Sequence, residues 1–96
     1  MLTGKQKRFL RAEANQMKPI FQVGKTGVNE NMTIQIDEAL EKRELIKVSV
    51  LQNCLDDKEE VAQRLSEYTN SEVVQIIGNN IVLYKESKNN KAIHLP

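Results

Sequence analysis

Apolar and polar positions along the chain divide it into seven segments. At about 100° per residue, Leu2, Phe9, Leu10, Ala14 and Met17 gather on one side of a helical wheel. Thr3 is suited to cap that helix, and Pro19 keeps Lys18 out of the helical region, so the spacing predicts a first helix over residues 4 to 17. Residues 20 to 23 (IFQV) are short, apolar and β-prone, and read as a strand. Beyond them Asn29 can cap a second helix, residues 30 to 44, whose apolar positions Met32, Ile36, Ala39 and Leu40 recur at helical spacing. Ile34 falls off that stripe.

The pattern then changes period. Residues 45 to 51 (LIKVSVL) alternate Ile46, Val48 and Val50 with Lys47 and Ser49, as a half-buried strand does. Asp56 and Glu59 form a D-x-x-E capping signal for a third helix, with Val61, Ala62, Leu65 and Tyr68 expected inside, and Asn70 and Ser71 end it. Residues 72 to 77 read as a mostly buried strand, and Gly78-Asn79-Asn80 as a tight turn into a last strand, residues 81 to 85. The order α-β-α-β-α-β-β predicts an α/β chain of the two-layer α+β type. Its four-stranded sheet is mixed: strand-helix-strand units lay the first three strands parallel to their neighbours, and the hairpin turns the last one antiparallel.

Ninety-six residues correspond to one domain, residues 1 to 96, in which residues 88 to 96 form a tail after a polar, flexible bend at residues 87 to 91 (SKNNK). A single cysteine, Cys54, excludes an internal disulfide and a thiolate zinc site. The first ten residues lack the apolar core of an export signal, and no apolar run spans a bilayer, so a cytoplasmic protein is expected. Nothing in the composition argues for an oligomer, and a monomer is the default.

The net charge of +1 conceals a division. Residues 1 to 28 carry six bases against Glu13 alone, a net of +5, and the remainder carries −4. On the wheel Lys5, Lys7, Arg8, Arg11 and Lys18 occupy the side opposite the apolar stripe, so the first helix presents a basic face. Between the first strand and the second helix lies Gly24-Lys25-Thr26-Gly27. A helix start offers unpaired N–H groups and partial positive charge, and glycines allow a phosphate oxygen close to the backbone. Lys25 adds a cation and Thr26 a hydroxyl. KH domains clamp single-stranded RNA with such a GxxG loop, although theirs joins two helices. The same four residues also suit an ordinary strand-to-helix turn. A P-loop and a dinucleotide fingerprint are both excluded by the spacing, and no cofactor or metal is expected.

Catalytic groups are sparse. His94 is the only histidine and sits in the tail, and Cys54 has no base to serve it. Asp56, Asp57, Glu59 and Glu60 cluster at a helix start, where the dipole favours acids. Asp37, Glu38, Glu41 and Glu44 read as a solvated back face of the second helix. A non-enzymatic protein is therefore expected. With Phe9, Phe21 and Tyr68 assigned to the core, Tyr84 is the one aromatic left for stacking, so RNA contacts should be mainly to phosphate and sugar. A basic face that docks an acidic protein partner, an adaptor, is the alternative.

Five stretches carry a resemblance: residues 2 to 11 (LTGKQKRFLR), 18 to 28 (KPIFQVGKTGV), 44 to 48 (ELIKV), 73 to 85 (VVQIIGNNIVLYK) and the final Leu95-Pro96. Together they resemble the YhbY-like proteins, which consist of a single CRM domain, the module named for chloroplast RNA splicing and ribosome maturation. The resemblance implies a fold similar to the C-terminal domain of translation initiation factor three, RNA binding, and association with precursors of the large ribosomal subunit, hence a part in ribosome biogenesis through rRNA. It assigns the RNA-binding role to Gly24, Lys25, Thr26 and Gly27, to Lys5, Lys7, Arg8 and Arg11 of the first helix, and to Lys18 and Lys47. Glu13 stands where many relatives carry a neutral residue, and Lys85 where arginine is frequent; a lysine there acts as a point charge rather than a planar fork.

Overall fold

The computed structural model describes residues 2–96; the first residue of the expected 1–96 domain lies outside them. The order is α1 (Gly4–Ala14), β1 (Phe21–Val23), α2 (Glu30–Arg43), β2 (Leu45–Val50), α3 (Lys58–Thr69), β3 (Glu72–Ile77) and β4 (Asn80–Tyr84). Thr3 caps α1 through a full capping box, accepting from the Gln6 amide at 3.1 Å while the Gln6 side chain accepts from the Thr3 amide at 3.0 Å. The helix stops three residues short of the expected end. Met17 instead folds back in a turn, its amide donating to the Ala14 carbonyl at 3.0 Å, and reaches the apolar cluster without helical backbone. Lys18 therefore follows the helix and does not belong to its basic face.

The sheet runs β1-β2-β4-β3. β1 lies parallel to β2, with Phe21 opposite Val48, and β4 is antiparallel to both β2 and β3. The expected parallel contact between β2 and β3 is absent because β4 lies between them. Its sequence explains the insertion: Ile81, Val82, Leu83 and Tyr84 are buried in succession, a continuous run that needs apolar cover on both faces and therefore a central place. β3 is an edge strand, bulged between Val73 and Gln75, and only Val74 in it is fully buried, so it is less enclosed than its apolar composition predicts.

Two clusters divide the core. Ile36 and Leu40 of α2 with Val61, Ala62 and Leu65 of α3 pack on Ile46, Val48, Val50, Ile81 and Leu83. On the opposite sheet face, Leu10 and Ala14 of α1 pack on Leu45, Val74, Val82 and Tyr84. The sheet and the α2–α3 layer are the two layers expected, and α1 covers part of the other face.

Three local expectations change. α3 begins after Asp57, not Asp56, and Asp57 makes no side-chain cap bond; Asp56 is drawn instead to Arg64, at 3.3 Å. Thr69 takes the inward place assigned to Tyr68, which is 69% exposed, whereas Tyr84 is 5% exposed, the reverse of the expected roles. The acids at the end of α2 are not a solvated face. Glu44, at a positive φ of 65°, is wholly buried and accepts from the amides of Ser87, Ala92 and Ile93 at 2.7 to 2.8 Å. Glu41 accepts from the Ser87 hydroxyl and from the amides of Lys88 and Asn89. The polar bend is thus fastened to α2, and beyond it Ile93 and Leu95 pack beside Leu10 and Tyr84.

Candidate functional site

Gly24-Lys25-Thr26-Gly27 forms a closed turn between β1 and α2, the Gly27 amide donating to the Gly24 carbonyl at 3.0 Å. Gly27 is buried with φ +70°, while Lys25 and Thr26 at the tip are exposed. The two glycines do different work. A Cβ on Gly24 would meet Asn53 and Leu51 at ordinary contact distances, whereas one on Gly27 would stand 3.1 Å from an oxygen of Asp56. Asn29 caps α2 by accepting from the Met32 amide at 2.8 Å, so the helix start is partly satisfied from within.

The other candidate residues reach the same neighbourhood along the sheet. Strand alternation puts Lys47 and Ser49 on the face that α1 partly covers, since Lys47 pairs with Val82. Gln22 pairs with Ser49 and shares that face. β1 and β2 end side by side at Val23 and Val50, next to the glycine turn, so Lys47, Ser49 and Gln22 form a polar path from α1 toward the turn. Lys5, Lys7, Arg8 and Arg11 all lie on α1, with Lys5 and Arg8 exposed and Lys7 and Arg11 half-buried. The sheet separates α1 from α2 and α3, so the structure brings the four turn residues together and sets the helix stripe on the far side of Lys47. Lys18 is exposed in the connection before β1.

Ion pairs engage three bases outside this set. Among the described residues Arg64 pairs with Asp56 and Glu60, Lys85 with Asp37 at 2.9 Å, and Lys91 with Glu86 at 2.8 Å. Lys5, Lys7, Arg8, Arg11, Lys18, Lys25 and Lys47 take part in none of these pairs, and neither do Lys42, Arg43, Lys58 and Lys88, so it is position on α1, before β1, on β2 and in the turn that sets the seven apart. Two of the acids, Glu41 and Glu44, are engaged by the C-terminal segment. Hydrogen bonds from the Lys88 amide, the Ser87 hydroxyl and the Asn89 amide lower the Glu41 pKa from 4.5 to about 2. For Glu44 burial acts to raise it, but the three backbone amides, with the nearby Lys91, more than offset that and hold it below its ordinary value. Burial, then the charges of Glu44 and Glu86, raise the Tyr84 phenol.

Two residues at the site were missed by the sequence reading. Arg64 stands beside Asp56 under the turn. Tyr68 lines a cleft of about 370 Å³ with Val28, Asn29, Glu30 and Thr33, immediately after the turn. A helical wheel that places Thr69 inward would have pointed both outward on one side of α3.

Among the described residues no group of three or more His, Cys, Asp or Glu is placed to hold a metal ion. No helix among them is long and apolar enough to cross a membrane.

Comparison with known proteins decides the family. The model of the CRS1/YhbY (CRM) domain matches residues 2–85. The chain belongs to the CRM family. Over all 96 residues it is 69% identical to Bacillus subtilis YqeI, named a probable RNA-binding protein, with both chains covered completely. A Haemophilus influenzae protein named as RNA-binding is 36% identical, covering 99% of this chain and 95% of its own length. The solution structure of SAV1595 from Staphylococcus aureus matches this CRM domain along the full length of both chains, with a TM-score of 0.83 and 66% identity. The matched region of the CRM model thus spans every helix and strand and ends one residue past β4, at Lys85.

Proposed function

We propose that this CRM domain is a non-enzymatic RNA-binding protein of the cytoplasm that associates with ribosomal RNA in precursors of the large ribosomal subunit and assists their assembly. The observation that carries the reading is the set of unpaired bases, Lys5, Lys7, Arg8, Arg11, Lys18, Lys25 and Lys47, running from α1 across the open part of the sheet to the glycine turn. Free cations at these positions release counterions from a polyanion without first breaking internal ion pairs. Relatives named as RNA-binding support the same partner. Contacts through lysines, the turn backbone and Thr26 go to phosphate and sugar, which fixes position more than it reads sequence.

Titrating the protein with large-subunit RNA fragments across a salt series tests this. Lys25→Ala should weaken binding and flatten the slope of log affinity against log salt by about 0.7 to 0.9, and Lys7→Ala/Arg11→Ala by about twice that. Affinities that do not change in these variants or with salt would overturn the reading. Sedimentation of the protein with precursor large subunits, lost in the same variants, tests the assembly role; retention of a protein partner after RNase treatment, with no RNA bound, would favour an adaptor instead.

A further inference from the structure

Tyr68 is the one strongly exposed aromatic side chain among the described residues, and it lines a cleft. Val28, which forms one wall, directly follows Gly27 of the turn. Arg64 lies one helical turn before Tyr68 on the same side of α3 and reaches Asp56, whose carboxylate lies against Gly27. The glycine turn, a guanidinium and an aromatic face therefore make one continuous surface. We propose that Tyr68 stacks on an unpaired base of the bound RNA, drawn into the cleft beside the glycine turn.

The chemistry of the walls selects a base over the other parts of a nucleotide. Glu30 places a carboxylate in the cleft, which repels a phosphate, and no lysine or arginine lines it. Val28 and the Tyr68 ring provide apolar surface for the flat face of a base, while Asn29, Glu30 and Thr33 supply polar groups for its edge. The backbone of the same nucleotide stays outside, where Lys25 is exposed at the tip of the turn. Stacking tolerates any base, because each has a π-face. The result is a preference for RNA with a bulge or loop over a continuous duplex.

This inference rests on the RNA-binding reading, and the experiment separates the two. The chain contains no tryptophan, so Tyr68→Trp creates a single fluorescent reporter. The probes are a hairpin RNA with one bulged nucleotide and the same hairpin fully paired. Tyr68→Ala should lose about 5- to 150-fold affinity for the bulged hairpin and keep its affinity for the paired one. Tyr68→Phe should retain both, and the bulged hairpin alone should quench the tryptophan of Tyr68→Trp. Wild-type affinity of Tyr68→Ala for both hairpins, with Lys25→Ala still weakened, overturns the stacking site and leaves the RNA reading standing. An equal loss on both hairpins also overturns it. If Lys25→Ala and Tyr68→Ala both bind as wild type does, the RNA reading itself fails and the stacking site with it.

Discussion

At Gly27 two constraints coincide, a left-handed backbone and a crowded Cβ position. An L side chain at φ +70° is strained by about 1 to 2 kcal/mol. Asp56 cannot retreat freely from an added methyl, because Arg64 holds it at 3.3 Å. Gly24 has neither constraint. Gly27→Ala should therefore lower unfolding free energy by about 1 to 2 kcal/mol, while Gly24→Ala should lie within about 0.5 kcal/mol of wild type, both read by chemical denaturation. An unchanged midpoint for Gly27→Ala would mean that the turn relaxes around the new side chain. The motif GKTG looks symmetric in sequence; what distinguishes its two glycines is Asp56, 29 residues away, which periodicity does not reveal.

Among the elements, the C-terminal strap has the clearest dependence on conditions. Glu41 and Glu44 hold it as carboxylates, and the folded state lowers the pKa of both. Between pH 4.5 and about 2 the unfolded chain therefore binds more protons at Glu41 than the folded one, so this contribution to stability is complete above about pH 4.5 and is lost as pH falls through about 2. The amides of Lys88 and Asn89 should lose protection in that window while those of β4 keep theirs, as amide exchange by NMR would show. Glu44→Gln should release Ala92 and Ile93 at neutral pH; protection unchanged in that variant would show that the apolar contacts of Ile93 and Leu95 hold the strap alone. The elements themselves were readable in the sequence because each carries its own period and caps, as Thr3 with Gln6 and Asn29 with Met32 illustrate. What escaped was pairing at a distance. The acids of α2 face away from its own apolar stripe, so a wheel leaves them in solvent, and only the returning chain supplies their donors. Tyr68 and Tyr84 exchanged roles for a related reason: an aromatic is apolar enough to be assigned inward at the margin of a stripe, and Thr69, bonded to the Leu65 carbonyl, fits there instead.

For the molecule as a whole, the near-neutral total separates into paired and unpaired charge. Glu41 is structural, so its removal would loosen the strap and confuse any test of electrostatic repulsion. Asp37 and Glu38 are exposed and suit that test better. Asp37→Asn would also free Lys85 from its partner. Asp37→Asn/Glu38→Gln should raise affinity for unrelated duplex RNA at low salt, with little change for the bulged hairpin at high salt. No rise would show that these acids only solvate the back of the domain. The placement of the unpaired bases was half legible: the sequence located them on α1 and in the turn, but the sheet face that joins the two depends on the register of β1 with β2.

The central position of β4 also orders events during synthesis. Residues are made from the N-terminus onward, yet the strand that joins β2 to β3 is the last of the four to appear. Until Tyr84 has emerged, β1 and β2 can pair only with each other, β3 has no partner, and both apolar clusters lack the strand that belongs to each. The sheet therefore closes only once the chain through Tyr84 is available, through contacts far apart in sequence, which is a slow class of folding step. The basic residues of α1 leave the ribosome before any strand does, so the nascent chain presents these cations before the sheet that positions them exists.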